Sequence, residues 1–284
     1  MELQKCSASS SNGATLQCCH TAVDKKKSSL LIALPFGVPV SVAHAPFEKF
    51  GSNYNVVTWE SRYILNLEQD FSGQEKMTPN EHVEDMLSIL KALDIKVCCL
   101  IGYCSGAGIS LVAAKQYPDV FSELILVNGE YQLFKKGHKG TFYQRSIDAF
   151  LPLVAASRAK ASSMFSTMAG ISQAKTNGQP QTELDQQINL PFTREETLFR
   201  YAKNYMGYRD FDALSTAREV QLKTFVLTGQ MDQHSNSENS DAVSDCIPGA
   251  KKFVDAKGDH YEFCRAGSLT LDVLSTHLAE SKCW

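Results

Sequence analysis

The sequence predicts an α/β fold in which a mostly parallel central sheet carries helices on both faces and a helical insertion interrupts the repeat. Three observations support this prediction. Apolar runs of strand length alternate with segments of helical period along most of the chain. The first two strand-like segments flank an Asn-Gly turn, which is typical of an antiparallel hairpin. Between residues 132 and 217 the alternation stops and the pattern becomes irregularly helical.

The first part of the chain supplies most of the predicted sheet. Its predicted strands are 2–8, 14–23, 28–35 and 54–59, and its predicted helices are 42–50 and one that starts after Thr78. The turn at Asn12-Gly13 joins the first two strands. The run 30–34 is apolar throughout, as expected for a central strand that is buried on both faces. Thr78, Pro79 and Glu81 form a helix start with a capping residue, a proline in the first turn and a glutamate three positions on.

Strand and helix order resumes after the irregular segment. The later predicted elements are the strands 223–228 and 252–254 and the helices 237–246 and 269–280. Within the irregular segment, 194–201 is predicted to be a helix and 173–187 is a polar patch of low order. We therefore predict a core formed by residues 1–131 and 218–284, with residues 132–217 inserted as a helical lid.

Composition limits the classes of function. The formal net charge of −3 provides no basic surface for nucleic acid, and no apolar run approaches the length of a membrane span. The N-terminus has no apolar signal-peptide core, and the nine cysteines form no paired CxxC framework. These features predict a cytoplasmic protein with free thiols and no bound metal or cofactor, in which the pairs Cys18-Cys19 and Cys98-Cys99 pack in strands.

The most informative segment is Gly102-Tyr103-Cys104-Ser105-Gly106. An apolar run of strand length precedes it, and a helix of small and apolar residues follows it. Gly-x-Cys-x-Gly between a strand and a helix is the pattern of a nucleophile elbow, with cysteine in the usual serine position. Glycines on both sides leave room where strand and helix approach the turn residue. Placing Ser105 at the apex would put Tyr103 at a position that requires a small side chain, so Cys104 is the predicted nucleophile. The competing interpretation is a buried structural cysteine.

An acid and a histidine follow the cysteine in the order of a catalytic triad. Asp232 comes after a later predicted strand, and His260 comes after the last one. The carboxyl ends of parallel strands meet at one edge of the sheet, so these side chains are expected to converge. His260 would accept the proton of Cys104, and Asp232 would orient the imidazole ring.

Two further points concern the same edge of the sheet. The backbone N–H groups of Val38 and Ser105 are the predicted oxyanion hole, because one lies in the loop after a central strand and the other follows the nucleophile. Glu130 also leaves a strand end and is an alternative acid or a pocket carboxylate. His234 lies close to Asp232 in the sequence, but its polar Ser/Asn surroundings indicate a surface residue.

These motifs resemble those of the α/β-hydrolase superfamily over nearly the whole chain. The segments Val57–Arg62, Gly102–Ala107 and Leu126–Tyr131 resemble, more specifically, the standalone cysteine acyl- and aminoacyltransferases of nonribosomal peptide pathways. That resemblance implies transfer of an aminoacyl group between the phosphopantetheine arms of two carrier proteins through an acyl–Cys104 thioester. It also implies that Glu130, Tyr131 and Tyr103 contact the aminoacyl group. The residues after Trp59 depart from the Asp-x-x-Gly loop usual in hydrolases and distinguish the chain from simple esterases.

A cysteine nucleophile favours transfer on chemical grounds. An acyl group that moves from a carrier thiol to Cys104 exchanges one thioester for another, so the step is nearly balanced and reversible. Water also attacks thioesters, and a thioesterase, esterase or lactonase of the same fold is therefore the competing hypothesis. A binding protein that kept the fold without catalysis is the third, since fold alone does not determine function.

Overall fold

An eight-stranded mixed sheet forms the centre of the structure, a computed structural model that describes residues 3–175 and 182–281. The strands are β1 (Gln4–Ser9), β2 (Thr15–His20), β3 (Ser29–Ala33), β4 (Asn55–Trp59), β5 (Cys98–Tyr103), β6 (Phe121–Val127), β7 (Thr224–Gly229) and β8 (Lys251–Asp255). Their spatial order is β1-β2-β4-β3-β5-β6-β7-β8. The β1–β2 and β2–β4 pairs are antiparallel and all other pairs are parallel, which confirms the predicted fold class.

The described residues form ten α-helices. They are α1 (His44–Phe50), α2 (Pro79–Ala92), α3 (Ser105–Gln116), α4 (Phe142–Ala155), α5 (Arg158–Lys175), α6 (Glu183–Ile188), α7 (Glu195–Tyr208), α8 (Ala213–Arg218), α9 (Ser237–Cys246) and α10 (Leu269–Ser281). Short 3-10 helices lie at Val40–Ala43, Leu133–Lys136, Leu190–Phe192 and Glu262–Cys264. The start of α2 is the predicted one, with Pro79 in its first turn and a capping box between Thr78 and Glu81.

The two faces of the sheet carry separate apolar cores. Successive side chains of a strand point to opposite faces, so Leu31 and Ala33 of β3 enter one core and Leu30 and Ile32 enter the other. All four are at most 1% exposed, which explains why the central strands read as continuous apolar runs. Packing on both faces fixes the register of β3, β5 and β6, whose carboxyl ends carry the site.

The chain leaves the sheet after β6 and returns at β7. Between them lie α4 to α8, and α7 includes the helix that the sequence predicts at 194–201. Residues 176–181 of the polar patch lie outside the described residues, and the patch continues into α6. The last helix of this segment, α8, packs against α3 and α9. The chain therefore rejoins the helical layer of the core before β7 begins.

The prediction that all thiols are free is wrong at one pair. Cys6 and Cys18 face each other across the β1–β2 hairpin and form a disulfide, with their Cα atoms 5.1 Å apart. Directly opposed residues of an antiparallel pair lie within the Cα separation that a disulfide requires. The strand register creates this pairing, and the cysteine spacing in the sequence does not reveal it. Cys19, Cys98 and Cys99 are buried in their strands and take no part in this disulfide, as the packing interpretation predicts.

Candidate active site

Cys104 occupies a sharp turn between β5 and α3. Its backbone is left-handed, with φ of 53°, in a region that side-chain-bearing residues rarely adopt. A Cβ atom on Gly106 would lie 2.0 Å from the backbone oxygen of Ala33, and one on Gly102 would lie 2.6 Å from the Cα of Ala107. Both glycines are therefore sterically required. This geometry is that of a nucleophile elbow with Cys104 at its apex.

His260 lies between Cys104 and Asp232. Its Nδ1 atom is 2.8 Å from Oδ2 of Asp232, and its ring also hydrogen-bonds to the thiol of Cys104. Burial lowers the pKa of His260, but the charges of Asp232 and Cys104 and its hydrogen bonds to both raise that pKa well above its ordinary value. The structure therefore brings the three sequence-predicted residues together in the order cysteine, histidine, aspartate. The arrangement can form and hold a thiolate–imidazolium pair.

Asp232 is fixed as an ionised acceptor. One carboxylate oxygen accepts from the backbone N–H groups of His234 and Ser235, at 2.7 and 2.9 Å. The other accepts from the Ser235 hydroxyl at 2.5 Å in addition to His260. Burial raises the pKa of Asp232, but the charge of His260 and these hydrogen bonds outweigh it and lower the pKa to about 2. Asp232 is therefore a carboxylate at neutral pH.

Asn128 holds the histidine loop in place, and the sequence analysis did not assign it a role. It follows β6 in a left-handed conformation with φ of 44°. Its Nδ2 donates to the backbone oxygens of Asp259 and His260, each at 3.0 Å, and its Oδ1 accepts from the N–H of Gly229 at 2.8 Å. Tyr103 adds a hydroxyl donor to the same His260 oxygen at 2.9 Å. An asparagine directly after a buried strand was the only available signal in the sequence.

The prediction that His234 is a surface residue is wrong. Its ring stacks on His260, with centroids 4.8 Å apart and planes inclined by 28°. Its Nε2 lies 3.0 Å from the hydroxyl of Tyr261, and the ring of Tyr143 also packs against it, with centroids 4.5 Å apart. Burial and the charge of His260 lower the pKa of His234 to about 4, so the ring is neutral at pH 7. The polar residues around His234 in the sequence gave no indication of this position.

Glu130 lies in the cavity and not in the acid position of the triad. Its Oε1 accepts from the backbone N–H of Gln132 at 2.8 Å, and its Oε2 accepts from Nε2 of Gln144 at 2.5 Å. Burial raises its pKa to about 7, although both hydrogen bonds and the charge of His260 act in the opposite direction. Since Asp232 occupies the position next to His260, Glu130 is a pocket carboxylate.

The two tyrosines predicted to contact the substrate differ in position. Tyr103 lines the cavity beside Cys104. Tyr131 does not line the cavity: it is fully buried, and its ring occupies the space where a Cβ on Gly129 would lie. Its side chain turns into the core, and a direct contact with the substrate is no longer expected.

The predicted oxyanion hole lies at the mouth of the elbow. Ser105 begins α3, and Val38 lines the cavity in the loop after β3. The loop donor with a defined contact to the elbow is Phe36, whose N–H donates to the Ser105 hydroxyl at 3.2 Å. The N–H groups of Val38 and Ser105 remain a prediction for this role, and the Phe36 N–H could serve it only if it left the Ser105 hydroxyl.

A cavity of about 610 Å³ opens beside Cys104, between the sheet edge and the inserted helices. Apolar side chains of the insertion form much of its wall, among them Ile147, Phe165, Met168, Ile188 and Phe192. Its lining in the described part of the chain contains two carboxylates, Glu130 and Asp185, and no lysine or arginine. Such a cavity suits a ligand that is largely apolar and carries no anionic group.

The active site also contains residue types that can bind a metal ion. Among residues 3–175 and 182–281, one group of ligand types lies close enough to hold an ion: Asp232, His234 and His260, with ligand atoms within 4.8 Å of one another. Two of these residues already hydrogen-bond to each other, so the group is accounted for without an ion.

No helix in the described residues has the length and apolar character of a membrane span.

The chain is similar in sequence to known proteins of the alpha/beta hydrolase fold. The family model described as "alpha/beta hydrolase fold" matches residues 56–264. An L-allo-isoleucyltransferase from Pseudomonas savastanoi pv. glycinea is 22% identical over 244 residues, which are 84% of this chain and 83% of that protein. A strigolactone esterase from Arabidopsis thaliana is 30% identical over 99 residues, which are 34% of this chain and 37% of that protein.

Solved structures extend the similarity of fold. An esterase from Exiguobacterium antarcticum superposes with a TM-score of 0.73 over 98% of this chain and 100% of that protein, at 15% sequence identity. At this identity the likeness concerns the fold alone. The relatives thus include an acyltransferase and esterases on one shared architecture.

Proposed function

Since the chain belongs to the alpha/beta hydrolase fold family of enzymes, we propose that it is an acyltransferase that carries an aminoacyl group on Cys104 between phosphopantetheine arms of carrier proteins. The observation that carries the proposal is the elbow itself, where a cysteine replaces the usual serine and contacts a histidine bound to a buried carboxylate. The relative that is similar over 84% of the chain is named L-allo-isoleucyltransferase, and transfer of an isoleucyl group is consistent with the proposed reaction.

Loading begins with proton transfer inside the triad. His260 accepts the proton of the Cys104 thiol, and the Asp232 carboxylate stabilises the resulting imidazolium through the Nδ1 hydrogen bond. The thiolate attacks the carbonyl carbon of the incoming thioester, and a new carbon–sulfur bond forms. The oxyanion is stabilised by backbone donors of Ser105 and of the loop that contains Phe36 and Val38.

Collapse of this tetrahedral intermediate completes the step. The bond to the pantetheine sulfur breaks, and the departing thiolate takes the proton from His260. An acyl–Cys104 thioester and a free carrier thiol result, so atoms and charges balance. Unloading onto a second carrier is the same sequence in reverse. The positive end of α3 next to Cys104 stabilises the thiolate in both directions.

The insertion supports transfer over hydrolysis. An acyl–enzyme that waits for a second carrier must be kept from water, and apolar residues of the insertion cover the cavity beside Cys104. Hydrolysis of a thioester or ester is the second candidate, and the esterase relatives favour it.

Intact-protein mass spectrometry distinguishes these functions. The protein is mixed with an aminoacyl-pantetheine thioester, and Cys104→Ala is the matched control. A persistent adduct on the parent protein that is absent from the variant and discharged by a holo-carrier protein supports the transferase. Steady release of free acid without carrier-dependent discharge would identify a hydrolase. Absence of both adduct and turnover would favour a non-catalytic binding protein.

A further inference from the structure

Glu130 is a carboxylate in the cavity that has no permanent positive partner within the described part of the chain. The cavity lining contains no lysine or arginine among the described residues. Two charged groups act on the Glu130 carboxyl: the charge of His260 lowers its pKa, and the charge of Asp232 raises it. A carboxylate that is removed from water without a cation is unfavourable, and the pKa of Glu130 near 7 reflects this. A positively charged ligand would supply the missing partner.

The position of Glu130 is fixed from several sides. Gln144, which donates to its Oε2, is held in a capping box with Thr141 at the start of α4. The backbone oxygen of Glu130 accepts from the hydroxyl of Tyr208, and its Oε1 accepts from the N–H of Gln132. The two donors to the carboxylate, Gln132 and Gln144, are neutral and fill only part of its acceptor capacity, which is about four hydrogen bonds. The group is thus held in place with capacity for a further donor.

Glu130 is also adjacent to the nucleophile. Its backbone N–H donates to the backbone oxygen of Cys104 at 3.0 Å, so the carboxylate and the thiol line the same end of the cavity. In an aminoacyl thioester, the amine is attached to the carbon next to the reacting carbonyl. An amine so placed lies close to the Cys104 end, while the rest of the acyl chain extends toward the apolar wall formed by Phe165, Met168 and Phe192.

We propose that Glu130 binds the α-ammonium group of an aminoacyl substrate whose side chain is apolar. The inference rests on the proposed function in so far as the acyl group is delivered to Cys104. Glu130 then selects amino acids over simple fatty acyl groups, and the apolar wall selects against polar side chains. Asp185, the other carboxylate of the lining, is engaged in capping α6 through Thr182 and is not assigned this role.

Equilibrium binding tests the inference without requiring acylation. L-Leucinamide and 4-methylpentanamide share a carbon skeleton and differ only in the amine. Isothermal titration of both amides into the Cys104→Ala protein at pH 7 is expected to show about 10- to 100-fold tighter binding of leucinamide, the range for a hydrogen bond to a charged group. Adding Glu130→Gln is expected to remove that preference, whereas adding Asp185→Asn leaves it unchanged.

Three results would overturn the proposal. They are equal affinity for both amides, an unchanged preference in the Glu130→Gln variant, and a preference lost only with Asp185→Asn. One form of the second result, an equal loss of affinity for both amides in the Glu130→Gln variant, would assign Glu130 a purely structural role. Acylation of the parent protein by leucyl- and 4-methylpentanoyl-pantetheine is measured in parallel. Selective amide binding without acylation by either thioester would refute the proposed function and leave the ammonium site intact.

Discussion

The charge state of Glu130 should appear in the pH dependence of stability. Its carboxyl has an ordinary pKa of 4.5 in the unfolded chain and a pKa of about 7 in the folded protein. The folded state therefore holds this proton more tightly, and the contribution to stability is fully present below pH 4.5 and lost as pH rises through 7. The difference is roughly 2.5 pKa units, and at about 1.36 kcal/mol per unit it amounts to about 3 kcal/mol.

Glu130→Gln isolates this effect because the amide stays neutral at every pH. Urea unfolding of both proteins at pH 4.5, 5.5, 6.5 and 7.5 gives the difference in unfolding free energy. We expect the parent protein to lose about 3 kcal/mol relative to the variant across this interval, or about 5 °C in Tm for a chain of this size. The charge of His260 lowers the pKa of Glu130 and the charge of Asp232 raises it, so their effects on this pKa cancel in part.

Glu81→Gln provides a control in which the dependence of stability on pH is expected to have the opposite sign. Burial raises the pKa of Glu81, but its hydrogen bonds to Thr78 outweigh burial and lower that pKa. Its contribution is present above the ordinary pKa and is lost as pH falls. The parent protein should therefore gain stability relative to Glu81→Gln as pH rises.

Parallel stability curves for the parent and Glu130→Gln would show that Glu130 ionises normally and would refute the reasoning.

Three further predictions concern the elbow, the core and the triad. Gly106→Ala should cost more than about 3 kcal/mol in urea unfolding, because its Cβ would meet the backbone oxygen of Ala33 at 2.0 Å, and a loss below 1 kcal/mol would contradict the model of a sterically closed turn. Arg62→Met should cost about 3–5 kcal/mol by leaving the fully buried Asp85 carboxyl unpaired, and adding Asp85→Asn should recover part of the loss; equal stability of single and double variants would argue against this pairing. Asp232→Asn should slow acylation by about 10²- to 10⁴-fold while circular dichroism shows that the variant remains folded, and an unchanged rate would show that another group orients the histidine.

Much of the fold is encoded in local patterns. The central strands are apolar on both faces, and the helix after Thr78 carries its cap, so periodicity and end signals predict these elements. The elbow is equally local, since two glycines around Cys104 describe a backbone conformation that the structure contains. Asp232 and His260 could be chosen because parallel strands bring all their carboxyl ends to one edge.

The errors concern features that depend on side-chain direction or on register. The polar sequence around His234 predicts a surface residue, but the turn that lets its N–H bond to Asp232 also directs its ring onto His260. Tyr131 follows Glu130 by one residue and points the opposite way, into the core. The Cys6–Cys18 disulfide can be predicted only when the register of the β1–β2 hairpin is known, because that register places the two cysteines opposite each other. Such information arises only when distant segments are packed together.

The hydrogen bonds of the Asn128 side chain have a consequence for how this architecture can diversify. Asn128 ties the end of β6 to the end of β7 and to the loop that bears His260. The inserted helices leave the sheet only after that point, and α8 brings the chain back against α3 and α9 before β7. The segment between can therefore be lengthened, shortened or exchanged while the reactive groups keep their spacing. The apolar wall of the cavity and the triad are thus carried by different parts of the chain, and the wall can change in evolution while the triad and Glu130 stay in place.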